Sequence, residues 1–258
     1  MMLRYHARTL ELMGVKPSFS EANARMLAVR EAAMGVRLPD SVREWYSLDG
    51  CTELMRTYSN NDRPVALGLL GQPADNWYGM GHRDFVAQAK LHFMSENQSV
   101  CNWAVALDDG DDPPVFVEVD SENHDEWQPC TATFSEFLRC QAWDHPQDGT
   151  GCCAQAGVSA AEIAKLKSTY KQEAETYGWP GDVNHRFSTP WGRVLIWTKG
   201  DLVDWWLFPN SNSSLPQLVQ AVWDFDNLAV SLYGLDEFAN QTLERLRAGT
   251  SSSSTKTP

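Results

Sequence analysis

The chain has 258 residues, 43% of them hydrophobic and 11% aromatic. That is enough apolar surface for one large domain or two small ones. A formal net charge of -13 has the wrong sign for a protein that binds by neutralising phosphates, so direct contact with DNA or RNA is disfavoured, while encounter with basic partners is favoured.

The opening "MMLRYHARTLELMG" lacks the apolar core of a signal peptide, and no apolar run approaches membrane-spanning length. The sequence therefore predicts a cytoplasmic protein with no membrane contact. A short helix over residues 2–13 would place Leu3, Leu10 and Met13 on its apolar side. In "KPSFSEANARMLAVREAAMG", Ser18 and Glu21 have capping-box spacing, and Ala22, Met26, Val29 and Ala33 step along one helical face until Gly35. "LPDSVREWYSLDG" predicts a further helix, with Pro39 in its first turn and Leu38, Val42 and Trp45 on one face.

The texture changes after residue 63. "PVALGLL" is a short apolar run, "DNWYGMGH" a Gly-punctuated aromatic loop, and "RDFVAQAKLHFMSENQ" fits helix or strand. Trp103, Val105 and Leu107, then Val115, Val117 and Val119, alternate with period two and predict a pair of half-buried strands. "TFSEFLRCQAW" reads as a helix, and "DHPQDGTGCCAQAG" (144–157) as a linker. Beyond it, Ser159 and Glu162 form another capping box. Ile163, Leu166, Tyr170, Ala174 and Tyr177 extend that helix to "GWPG". "RVLIWT" and "LVDWWLF" flank "KGD" as a hairpin. "LPQLVQAVW" predicts a helix, "LAVSLY" a strand and "LDEFANQTLERLRAG" a final helix. The expected division is a first domain over 1–148, an α+β extension over 155–248 and a disordered tail over 249–258. Helical runs set against clustered strands predict an α+β fold, with N-terminal helices packed on a mostly antiparallel sheet and a second α+β unit after it.

The motifs that announce chemistry are missing. There is no Gly-rich phosphate loop, no G-x-S-x-G elbow and no H-E-x-x-H. The cysteines (51, 101, 130, 140, 152 and 153) include no C-x-x-C pair and are expected to be free thiols rather than zinc ligands. No cofactor is expected. The acidic run "LDDGDDPP" invites a calcium reading, but adjacent aspartates point apart and the terminal bidentate Glu of an EF-hand loop is absent. Asp-Gly favours a turn and the two prolines stiffen re-entry into the next strand. A strand connection is the expectation. Of the tryptophans, Trp103, Trp197 and Trp223 are expected in the core, and in "VDWWL" the pair must face opposite sides of the strand.

Three of these segments carry a resemblance. "LPDSVREWYSLDG" resembles the Leu-Pro, aromatic, Asn/Asp-Gly signature of SUKH superfamily domains, named for Syd and the yeast cell-wall synthesis regulator homologues. "FMSENQSVCNWAVALDDGDDPPVFVEVD" is similar to the central strand pair of that group, and "WQPCTATFSEFL" to the Trp and helix that follow. The likeness covers about residues 20–143. The turn here is Asp-Gly-Cys rather than the common Gly-Gly type. Residues 155–248 look like an extension found on some bacterial relatives. The resemblance implies a non-catalytic protein-binding domain, in bacteria frequently an immunity protein that neutralises a cognate toxin, often a nuclease; it supplies no catalytic residues. A basic toxin domain is the partner this acidic chain would suit. Partner contacts are then expected at Trp77, Tyr78, Glu96, Asp109, Asp111, Asp112 and Trp127. The alternatives are a regulatory or scaffold adaptor, and a hydrolase using unidentified carboxylates.

Overall fold

A computed structural model describes residues 3–73, 83–119, 126–147, 149–225 and 228–253. The fold is α+β, with antiparallel pairing of neighbouring strands along each of its two sheets among the described residues. The chain forms two compact units, Met1–Pro146 with Thr176–Trp179, and Gln147–Glu175 with Pro180–Pro258.

The first unit opens with helices α1 (Ala7–Leu12), α2 (Glu21–Met34), α3 (Asp40–Tyr46) and α4 (Cys51–Thr57). Five strands follow, β1 (Arg63–Pro64), β2 (Lys90–Ser95), β3 (Cys101–Ala106), β4 (Val115–Val119) and β5 (Gln128–Thr131), before α5 (Phe134–Asp144). They lie side by side in chain order. The segment left open between helix and strand resolves into a 3-10 turn at Val86–Gln88 and then β2. Leu91, Phe93, Trp103, Val105, Val115 and Val117 pack with Leu10, Leu27, Val42, Trp45, Phe134 and Phe137 in one core. Phe93 meets Phe134 and Phe137 edge-on, with ring centroids 5.1 and 5.3 Å away. The β3–β4 pair has the expected alternation, but β3 is buried on both faces rather than half-buried.

Two details of the helices differ from the sequence reading. The cap of α2 is Ser20, whose Oγ accepts from the Asn23 N–H at 3.3 Å. Ser18 is taken up elsewhere: its hydroxyl donates to Asp49 at 2.7 Å, its carbonyl accepts from the Asp49 N–H, and Phe19 bridges to Leu48. The buried side of α2 is also rotated. Met26 and Val29 are exposed and Leu27 is buried, flanked by partly covered Asn23, Arg30 and Glu31. Those polar neighbours have work there, since Asn23 donates to the Leu48 carbonyl, Arg30 to the Leu70 carbonyl, and Glu31 accepts from Leu38 N–H and Arg43. Gly35 ends α2 in the left-handed conformation, as expected.

The first unit also takes in the two-residue strand β8 (Thr176–Tyr177) and Trp179, which packs on its core. Between them Gly178 has φ +82, and an added Cβ would lie 2.5 Å from Val117 Cγ1. Only glycine fits there.

In the second unit β6 (Cys152–Gln155), β7 (Lys171–Gln172), β9 (Val183–Thr189), β10 (Gly192–Lys199), β11 (Leu202–Pro209) and β12 (Tyr233–Gly234) are ordered β12-β6-β11-β10-β9-β7. The expected hairpin is β10–β11, with Lys199 opposite Leu202 across Gly200–Asp201. Trp205 is buried and Trp206 half-buried, on opposite faces as the alternation requires. Trp205 donates to the Ala156 carbonyl at 3.0 Å. Helices α6 (Ala160–Thr169), α7 (Leu215–Gln220), α8 (Leu228–Ser231) and α9 (Glu237–Ser253) complete the unit. Leu166, Leu215, Leu218, Val219 and Leu243 cover Phe187, Val194, Ile196 and Leu207.

The Ser159–Glu162 capping box is present. Helix α6 nevertheless stops at Thr169 instead of reaching Tyr177, because Tyr170 turns extended and Gln172 pairs with Phe187. "LAVSLY" is a one-turn helix followed by β12, not a strand. The expected linker contains β6, an interior strand with fully buried Cys152. Helix α9 runs through Ser253, into the segment expected to be disordered. Trp103 is in the core, whereas Trp197 and Trp223 are half-buried.

Candidate functional site

The acidic connection between β3 and β4 is held by backbone first. The Ala106 N–H donates to the Pro114 carbonyl at 3.3 Å and the Leu107 N–H to Ala89 at 2.9 Å, and Gly110 supplies a left-handed turn residue at φ +80. The Ser41 N–H, in the first turn of α3, donates to the Asp111 carbonyl at 2.9 Å. Asp112 is fixed by side chain. Its two oxygens accept from the Ser135 N–H at 3.0 Å and from the Ser135 hydroxyl at 2.5 Å, at the start of α5. A carboxylate there also faces the positive end of the helix dipole.

Asp112 is thus tied down, which removes it from the residues free to meet a partner. Asp108, Asp109 and Asp111 remain exposed. Arg4 stands 3.7 Å from Asp111, with both side chains more than 60% exposed, so the pair contributes little.

Glu96 is a second correction, because it is 5% exposed. It organises the β2–β3 turn, where its Oε2 accepts from the N–H groups of Gln98 at 2.6 Å and Val100 at 3.4 Å. This turn docks on the one that precedes β1. The Asn97 N–H donates to Asp62 at 3.2 Å, Asn97 Nδ2 donates to the Asn60 carbonyl, and Arg63 donates to the Glu96 carbonyl at 2.7 Å and to the Ser99 hydroxyl. Asp62 is 3% exposed. Burial pushes its carboxyl up to about 7; nearby Glu96 adds to this, and the Asn97 N–H and Arg63 oppose it.

The face of the first sheet opposite the core carries a polar ladder. Ser95 donates to Asn102 at 2.7 Å, Asn102 lies 3.5 Å from Glu118, and Arg83 pairs with Glu118 at 2.6 Å with both almost inaccessible. His92 Nε2 sits 3.1 Å from the Met94 carbonyl and 3.0 Å from the Ser95 hydroxyl. A carbonyl can only accept, so Nε2 carries the proton and is not a base. Burial holds this imidazole down to about 4.

Trp127 lies on the same side, half-buried, donating to Gln88 at 3.3 Å and edge-on to Phe85 at 5.8 Å. The Lys90 ammonium stands 5.7 Å from the Trp127 ring and 5.1 Å from Phe116. Trp77 and Tyr78 lie outside the described residues. The structure therefore groups Asp108, Asp109 and Asp111 at one turn and places Glu96 and Trp127 in two other local clusters.

Sequence reasoning missed Asp62 and Arg83. Glu118 had a visible signal, an acid inside the valine strand "VFVEV". Among the described residues no group of three or more His, Cys, Asp or Glu is arranged to hold a metal ion, and no helix is long and apolar enough to cross a membrane. No protein-family model, curated protein or solved structure matches the chain.

Proposed function

We propose that the chain is a non-catalytic protein-binding module of the immunity type, which engages a basic partner through the turn Asp108–Asp111. One observation carries this reading: three exposed carboxylates sit on a turn held at Leu107 by the Ala89 carbonyl and at its far end by α3, through the Asp111 carbonyl, and by α5, through the Asp112 side chain. Charges held in place lose little freedom on binding, and a concentrated negative turn on a chain of net charge -13 speeds encounter with a positive surface. The likeness of three segments to SUKH domains, in the same order, supports an immunity role in the cytoplasm against a toxin with a basic surface.

A hydrolase reading would draw on Asp62, whose carboxyl, among the described residues, is pushed up to about 7 and so suits proton transfer near neutral pH. Its 3% exposure and its hydrogen bond to Asn97 favour the structural role instead.

The test is native affinity purification of the tagged chain from its source cells. The expected result is one stoichiometric basic partner whose expression alone arrests growth and whose toxicity this chain relieves. Several substoichiometric partners, none of them toxic, would favour an adaptor and sink the immunity reading.

A further inference from the structure

Four of the large apolar side chains that the described residues leave exposed fall within nine positions: Val230 at 77%, Tyr233 at 55%, Leu235 at 46% and Phe238 at 39%. Val230 lies on α8, Tyr233 on β12, Leu235 in the connection that follows and Phe238 at the start of α9. Apolar surface concentrated in this way marks interaction sites far more often than single exposed residues do.

The surface is also built to hold its shape. Arg247 on α9 donates to the carbonyls of Ala229, at 3.1 Å, and Leu232, fixing the end of α8. The Asp236 carboxylate accepts from the Ala239 N–H at 2.7 Å and caps α9. Gly234 lies so close to α9 that an added Cβ would stand 2.4 Å from the Asn240 nitrogen.

β12 forms one edge of the sheet, and an open edge invites a partner strand. Asn240 closes it. Its Oδ1 accepts from the Gly234 N–H at 2.9 Å and its Nδ2 donates to the Gly234 carbonyl at 3.3 Å, much as a neighbouring strand would. What remains open is docking of side chains, the mode by which an amphipathic helix lays its apolar stripe on a groove or face. The charge around the patch selects the partner's sign. The described residues of 224–247 include four acids, Asp224, Asp236, Glu237 and Glu244, and two arginines, of which Arg247 is committed to carbonyls. Asp224 and Glu237 are exposed, and Asp204 acts electrostatically on Tyr233.

We propose that α8, β12 and the start of α9 form a second docking surface, which receives a basic amphipathic helix of a partner protein. This rests on the reading of the chain as a protein-binding module and adds a contact separate in sequence from the acidic turn.

The test is calorimetric titration of the full chain with a synthetic helical peptide that has a leucine stripe and a lysine face. Val230→Ser/Phe238→Ser should weaken binding by about tenfold or more. Met26→Ser/Val29→Ser, which removes exposed apolar groups on α2 instead, should leave it unchanged. Thermal melts verify the fold of each variant, and Val230→Ser alone, at the most exposed position, serves if the double variant melts early. Wild-type affinity in Val230→Ser/Phe238→Ser, or no binding by the unmodified chain, overturns the proposal. So does an equal loss in the α2 variant, which would mean attraction to any exposed apolar surface. Self-association of the unmodified chain that Val230→Ser abolishes, without peptide binding, would make a second copy the occupant.

Discussion

Glu44 and Asp62 are both less than 5% exposed, yet burial serves them differently. Glu44 accepts from three consecutive backbone N–H groups, those of Arg4, Tyr5 and His6, at 2.7, 2.8 and 2.9 Å, and so ties the N-terminal segment to α3. Glu44→Ala leaves the buried His6 donor and the partly covered Arg4 and Tyr5 donors without this acceptor and is expected to cost about 2 kcal/mol in a denaturant titration. Asp62 has one such donor beside a second acid, Glu96, with Arg63 as the nearby cation. Its folded-state carboxyl titrates at about 7 against an ordinary 3.8. The folded form therefore holds this proton more tightly, and the stability it contributes is complete below the ordinary value and lost as pH rises through about 7. Asp62→Asn keeps an acceptor for Asn97 and removes the charge. It is expected to stabilise the chain by about 1–3 kcal/mol above neutral pH and to flatten the stability profile between the two titration points. An unchanged profile would show that Asp62 is not the group responsible. None of this was legible in the sequence, because Glu44 and its donors lie 38–40 positions apart and every carboxylate looks alike until its partner is known.

At the scale of elements, the strand pair flanking the acidic turn, the aromatic hairpin of the second unit and the Ser159 cap were all readable, since each depends on neighbours a few residues away. The readings that failed depended on distant contacts. Helix α2 shows an apolar stripe through Met26 and Val29, yet it buries Leu27, because Asn23, Arg30 and Glu31 are needed on the inner side to bind backbone and Arg43. Leu27→Ala is accordingly expected to cost about 2–4 kcal/mol, whereas Val29→Ala should fall within about 0.5 kcal/mol of the unmodified chain. Equal losses at the two positions would restore the stripe that the sequence suggests. Helix α6 gives way to sheet pairing at Tyr170, another contact that local propensity does not contain. The candidate site divides along the same line. The turn and its exposed acids were legible; the tethering of Asp112 by Ser135 and the burial of Glu96 were not.

Across the whole molecule, the division into two units does not follow a single cut in the chain, since the first unit draws on residues 176–179. The sequence reading placed the first domain at 1–148 because composition reports a linker, not the return of a later segment. Gly178 is the sensitive point of that return. Gly178→Ala combines a strained φ of +82 with a contact 2.5 Å from Val117, and is expected to lower the stability of the first unit by about 2 kcal/mol. Hydrogen exchange should report that loss at β4. Protection at β4 equal to that of the unmodified chain would mean that the segment is not needed by the core. Charge is the other property of the whole. It excludes little alone, but concentrated at a braced turn it gives the proposed partner its sign.

The measurement that tests the central claim most directly is the salt dependence of the affinity between the captured partner and two forms of the chain, unmodified and Asp108→Asn/Asp109→Asn/Asp111→Asn. The account expects the variant to bind about tenfold or more weakly at low salt, through a slower association rate, and the two forms to converge as salt rises. Identical affinities and identical salt slopes would contradict it and place the interface elsewhere on the molecule.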